Sequence, residues 1–123
     1  MAIALNATLR SARSTAIVTE AGATAKLTVY TAAYAAVLYT STCAATLGTV
    51  NTGVLTFNAV GAATASGAGT AAIARLFKTD GTTMVIEGLT VGTAATNIII
   101  TNTTIAVNDS ITTSAGTITE GNA

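Results

Sequence analysis

Proline, histidine and tryptophan are all absent from this chain. Without histidine it lacks the usual general base and the usual transition-metal ligand, and a Ser–His or Cys–His pair is impossible. Without proline, exposed strand edges must be blunted by another device, such as burial against neighbours. Charge is scarce as well, with five basic and five acidic residues that cancel. So few cations neutralise few phosphates, which argues against nucleic acid as a partner. A single cysteine, Cys43, excludes an internal disulfide. With no histidine to activate it, Cys43 reads as a small apolar residue in a strand. The opening MAIALNATLR has no basic region ahead of a long apolar run, and no stretch reaches membrane-spanning length. Cytoplasmic synthesis and no membrane partner are expected.

What is present points to strands. Apolar residues make up 50% of the chain but aromatics only 4%, so the core must come from Ala, Val, Ile and Leu. Thr and Ala each occur 27 times, and Thr fits a pleated, half-exposed surface. At 123 residues the chain suits one domain that buries roughly two thirds of its unfolded surface.

Along the chain, the spacing of Leu9, Ala12, Ala16 and Ile17 predicts a short N-terminal helical arm over 1–22, with Asn6 as N-cap and Gly22 just past its end. From Lys26 to residue 119 the period changes to two. KLTVY sets Leu27 and Val29 against Lys26, Thr28 and Tyr30. VLYTSTCA and GVLTFNAV follow, the latter with Leu55, Phe57 and Ala59 on one face. TAAIARLFK places Ile73, Arg75 and Phe77 opposite Ala74 and Leu76. TTMVIEG places Met84 and Ile86 opposite Val85 and Glu87. NIIIT, TTIAV and SITTSAGTIT complete about eight strands, with a turn at Asn108–Asp109. The glycine-rich stretch 61–69 reads as a flexible loop. The pattern is that of an all-β, antiparallel β-sandwich or jelly-roll-like domain with one short N-terminal helix.

Candidate chemistry is sparse. The acids Glu20, Asp80, Glu87, Asp109 and Glu120 are isolated in sequence. Asp80 and Glu87 flank one hairpin and could in principle act as a carboxylate pair, but they read as turn and edge residues. Asp80-Gly81 is the structural turn, with positive φ expected at Gly81. KTDGTT offers too few acids for calcium, and GAATASGAGT lacks the lysine and spacing of a phosphate loop. No catalytic group, metal or cofactor is expected, and the chain does not read as an enzyme. Arg10 and Arg13, three apart on the helix, suit either a solvated face or contact with an acidic partner. Tyr30, Tyr34 and Tyr39 suit either core packing or an interface. The N-terminal segment is a further candidate contact.

The order of segments is itself suggestive: LRSARSTAI, KLTVYTA, GVLTFNAV, GAGTAAIARLFKTDGTTMVIEGLTVGT, then NIIITNTTIAVNDSITTSAGTITEGN. It resembles the small tailed-phage virion proteins that decorate or cement heads. Residues 67–88 carry the likeness best, and the closing ITEGN is also similar. The resemblance implies a β-sandwich module, present in many copies on the outside of a phage capsid, bridging major capsid protein subunits. The implied partners are the major capsid protein and further copies of the chain itself, as a dimer or trimer. A tail or fibre component, or a surface adhesin of similar fold, is the alternative.

Overall fold

The computed structural model describes residues 6–119. Residues 1–5 of the expected arm, and Glu120, Gly121 and Asn122 of the closing stretch, lie outside the described residues. The described residues form one α-helix, α1 (Ala7–Ala21), a single 3-10 turn at Ala32–Tyr34, and twelve strands. These are β1 (Lys26–Tyr30), β2 (Val37–Thr42), β3 (Gly48–Asn51), β4 (Val54–Phe57), β5 (Ala63–Thr64) and β6 (Gly69–Thr70). The rest are β7 (Ile73–Phe77), β8 (Met84–Gly92), β9 (Ile98–Ile100), β10 (Thr104–Ile105), β11 (Ser110–Ile111) and β12 (Thr113–Thr119). Eight strands make one sheet in the order β2-β1-β7-β8-β9-β12-β4-β3, and two ribbons, β6–β10 and β5–β11, accompany it. The fold is all-β and sandwich-like with one N-terminal helix.

Pairing is antiparallel with one exception: β9 runs parallel to β8. Residues 93–97 loop back to lay it there. Asn97 secures the return by accepting from Thr90 N–H at 3.0 Å while its own N–H donates to the Thr90 hydroxyl at 3.0 Å. Its side-chain amide also donates to Thr117 O on β12 at 3.1 Å.

The period-two alternation builds the core as the sequence predicts for β1 and β7. Val29 lies opposite Ala74 and Tyr39, and Leu27 opposite Leu76 and Ser41. All six of these side chains are buried. In β8 the alternation fails. Leu76 pairs with Ile86 while Phe77 pairs with Met84, leaving Val85 as an extra residue. This bulge puts Met84 and Ile86 on opposite faces, not the same one. Strand β4 ends at Phe57, so Ala59 is exposed and not part of the Leu55–Phe57 face.

The helix has the expected caps but a different phase. The Asn6 side chain accepts from Leu9 N–H at 2.8 Å, and Gly22 closes the helix with its N–H donating to Val18 O. Leu9, Ala12 and Ala16 are exposed, whereas Ser14 and Ala21 are buried and Ile17 and Val18 partly so. The docking ground explains the phase. The Ser14 hydroxyl donates to Gly53 O at 3.2 Å in the β3–β4 turn, and Gly53 N–H donates to Ser11 Oγ at 3.0 Å. A hydroxyl that satisfies a hairpin's backbone is worth burying where a methyl would leave the Gly53 carbonyl unpaired.

The 61–69 stretch is likewise not a loose loop. Gly61 N–H donates to Thr42 O, and Ser66 and Gly67 N–H both donate to Leu38 O. Ala63 and Ala65 are buried. The segment is strapped to the outer edge of β2, and small residues are what allow the two backbones to approach. It is also the device that blunts this edge in the absence of proline.

Between β7 and β8 the chain turns through residues 78–83. Gly81 N–H donates to Lys78 O at 2.9 Å, and Gly81 takes φ +73°. A Cβ there would have no atom within 4 Å, so backbone strain is the main cost of a substitution. Gly81→Val is expected to lower stability by about 1 kcal/mol. An unchanged thermal midpoint would refute that reading of the turn.

Candidate interaction surface

The inward residues of β2, β1, β7 and β8 form the core, so their alternate residues form an outer face. Register arranges these in three rows. Val37, Tyr30, Ile73 and Thr90 make the first. Thr40, Thr28 and Arg75 make the second, which Arg75 extends to Glu87. Thr42, Lys26, Phe77 and Met84 make the third. Val37 and Met84, at opposite corners, are 47% and 48% exposed.

Arg75 is the centre of this face. Its guanidinium carbon lies 3.8 Å from the Tyr34 ring centroid and 5.3 Å from that of Tyr30. Its Nε donates to Glu87 Oε2 at 3.2 Å. The two tyrosine rings meet edge-on, with centroids 5.2 Å apart. Gly88 N–H donates to the Tyr34 hydroxyl at 2.8 Å, fixing that ring over β8. Stacking on one face and a carboxylate at one edge leave the guanidinium little freedom.

A strained turn delivers Tyr34 to this position. Ala33 and Tyr34 take φ +58° and +59° in succession, a left-handed geometry that costs L residues roughly 1–2 kcal/mol each. Thr31 closes the turn from both sides. Its O accepts from Tyr34 N–H, its hydroxyl accepts from Ala36 N–H at 3.0 Å, and its N–H donates to Ala36 O.

The candidate residues read from sequence separate into distinct roles. Tyr30 and Tyr34 come together on the outer face, where Tyr34 is partly exposed and Tyr30 itself is buried at 8% exposure. Tyr39 does not join them, and its reading as an interface residue is corrected. It lies opposite Val29 on the inner face, 1% exposed, because it alternates with Thr40, which pairs with Thr28 on the outer face. Burial pushes the Tyr39 phenol up to about 12, against a smaller opposing effect of Thr113. Burial likewise pushes the Cys43 thiol up to about 11, opposed by Lys26, so it is a poor nucleophile. Arg10 and Arg13 differ in exposure. Arg10 is half-buried against Gly53, where a Cβ would fall 2.8 Å from Arg10 Cβ, while Arg13 is exposed. Arg75 was not singled out by sequence reasoning. The available signal was a lone cation at the middle of an apolar strand.

Asp80 and Glu87 do not form a carboxylate pair. Glu87 is held by Arg75, and Asp80 is absorbed by its own turn. Asp80 Oδ1 accepts from Thr82 N–H at 2.8 Å and Thr83 N–H at 2.9 Å, and its Oδ2 accepts from the Thr83 hydroxyl. The Thr83 hydroxyl and these backbone donors hold the carboxyl down at about 2. A lowered folded value means the stabilisation is present above the ordinary carboxylate value near 4 and is lost as pH falls toward 2. The thermal midpoint is therefore expected to drop over that window. Asp80→Asn, which retains an acceptor for the two N–H groups, is expected to show a shallower drop. An equal acid slope in the variant would remove Asp80 from the account.

A shallow cleft between β10 and β11 is lined by Thr101, Asn102, Thr104, Asp109 and Ser110. Asn102 and Asp109 accept there from Thr104 and Ala106 N–H, as turn residues do. Among the described residues, no three His, Cys, Asp or Glu side chains gather to hold a metal ion. Compared with known protein families, with characterised proteins and with solved structures, the chain gives no match.

Proposed function

We propose that this chain is a structural virion protein that decorates the outside of a tailed-phage capsid and cements neighbouring major capsid protein subunits. The observation that carries the reading is the outer face centred on Arg75. A strained, non-glycine turn holds Tyr34 over a cation on the outer sheet face, where 30% of the Arg75 side chain remains exposed. Stability given up to order surface side chains is a mark of function in contact rather than in the core. Tyrosine, arginine, phenylalanine and methionine meet on that face, the residue types enriched where proteins meet. The face also unites the segment that resembles head proteins, which supplies Arg75, Phe77 and Glu87, with the tyrosine segment that supplies Tyr30 and Tyr34.

A cement needs contact area and rigidity. The outer face lies on four strands whose opposite side is packed, and repeated contacts on a closed shell multiply a modest single affinity. The test is quantitative composition of purified particles. A fixed ratio of this chain to the major capsid protein on heads is expected. Absence from heads, or a few copies confined to the tail, overturns the proposal and favours a tail or fibre role.

A further inference from the structure

Arg75 keeps some remaining capacity. The ion pair with Glu87 uses Nε and the Tyr30 side chain is a further hydrogen-bond partner, while 30% of the Arg75 side chain stays exposed. The guanidinium carbon lies 3.8 Å from the Tyr34 ring centroid, and the guanidinium donors share one plane. Apolar residues stand in the rows on either side, Val37 and Ile73 on one and Phe77 and Met84 on the other. A partner seated on them excludes water from the row between, where charge-assisted bonds then strengthen. The charge of the face is Lys26 and Arg75 against Glu87 alone, so the residual sign is positive. Two cations set among apolar and hydroxyl side chains suit a single carboxylate and do not suit a phosphate chain, which calls for a basic stripe.

We infer that Arg75 is the anchor for a carboxylate side chain of a protein partner, received on the outer face with Tyr34 as its aromatic wall. This rests on the reading of that face as the contact surface, and it names the partner's chemistry: an Asp or Glu flanked by apolar residues. Glu87 acts as a positioning residue. It orients the guanidinium and at the same time offsets part of its charge.

The experiment has two arms. In the first, a hexaglutamate peptide is titrated at low salt into the isotope-labelled protein, followed by amide and Arg Nε–H resonances. Shifts are expected on Lys26, Thr28, Tyr30, Arg75 and Phe77, and they should fade with added salt. Arg75→Ala should weaken the peptide about tenfold. Arg75→Lys, which keeps charge but not the planar fork, should fall between. Glu87→Gln should tighten binding, an effect that a purely structural role for Arg75 does not produce. Shifts absent from these rows, equal affinity in Arg75→Ala, or equal shifts with hexalysine or inorganic phosphate each overturn the inference. So do shifts that change only with the protein's own concentration, which assign the face to a second copy.

In the second arm, stripped heads are offered the wild type and Arg75→Ala. Wild type that leaves heads bare while the peptide arm holds defeats the capsid reading alone. Equal occupancy by both, with the peptide arm silent, defeats this inference alone.

Discussion

Leu76→Ala should remove about 3–4 kcal/mol of unfolding free energy, read as a lower denaturation midpoint at unchanged slope. Leu76 is fully buried on the inner face of β7, with Leu27 of β1 on one side and Ile86 of β8 on the other. Both neighbours are fixed by strand pairing, so the walls of the resulting cavity have little room to collapse. That places the substitution toward the upper part of the range for a buried leucine, about 2–5 kcal/mol. In a domain whose whole stability is of the order of 5–15 kcal/mol, the loss is severe. The core has few large side chains to redistribute, because it is built from Ala, Val, Ile and Leu. A measured loss below about 1 kcal/mol would mean that the inner face relaxes far more than close packing allows.

Gly67→Ala is expected to destabilise by about 2–3 kcal/mol and to free the strap along β2. A Cβ at residue 67 would fall 2.4 Å from Val37 O and within 3.6 Å of Val37 C and Leu38 Cα. All three are backbone atoms of β2, so no side chain can swing away to make room. The inexpensive response is for residues 61–67 to lift, breaking the bonds from Ser66 and Gly67 N–H to Leu38 O. Hydrogen exchange should then accelerate at those two amides and at Gly61. Ala63 and Ala65 would become exposed together with an unprotected strand edge, so association at high protein concentration should rise. Unchanged exchange at Ser66 and Gly67 would refute the strap.

The contrast between these two sites shows what the sequence conveys. Leu76 is legible: it alternates with Ala74 against Ile73, Arg75 and Phe77, and the pleat does the rest. Gly67 is misread because glycines that admit a close backbone approach look, in composition, like glycines that confer flexibility. Ser14 is misread for a related reason. An apolar period assigns the helix face to Leu9, Ala12 and Ala16, yet the partner is a carbonyl on Gly53, far along the chain. The bulge at Val85 leaves no mark in TTMVIEG and still reverses Met84 relative to Ile86. Arg75 and Tyr34 look unremarkable apart, since their contact depends on how β1 and β7 pair and on a turn that two alanine-flanked residues would not advertise.

The place of β12 in the sheet bears on how the molecule comes into being. Strands β2-β1-β7-β8-β9 and the hairpin β4–β3 are joined within the sheet by β12 alone. During synthesis, β4 emerges early and must wait for a partner about 60 residues downstream. At roughly 5–20 residues per second that wait is several seconds, long compared with the microseconds in which a hairpin forms. Throughout it β4 presents an open edge, and β9 adds a second for the last part of the wait. The two halves are therefore made in sequence but united in a single late event. Folding speed should be set by the closure of β12, and a chain halted before Thr113 would carry two adhesive edges instead of a finished sheet.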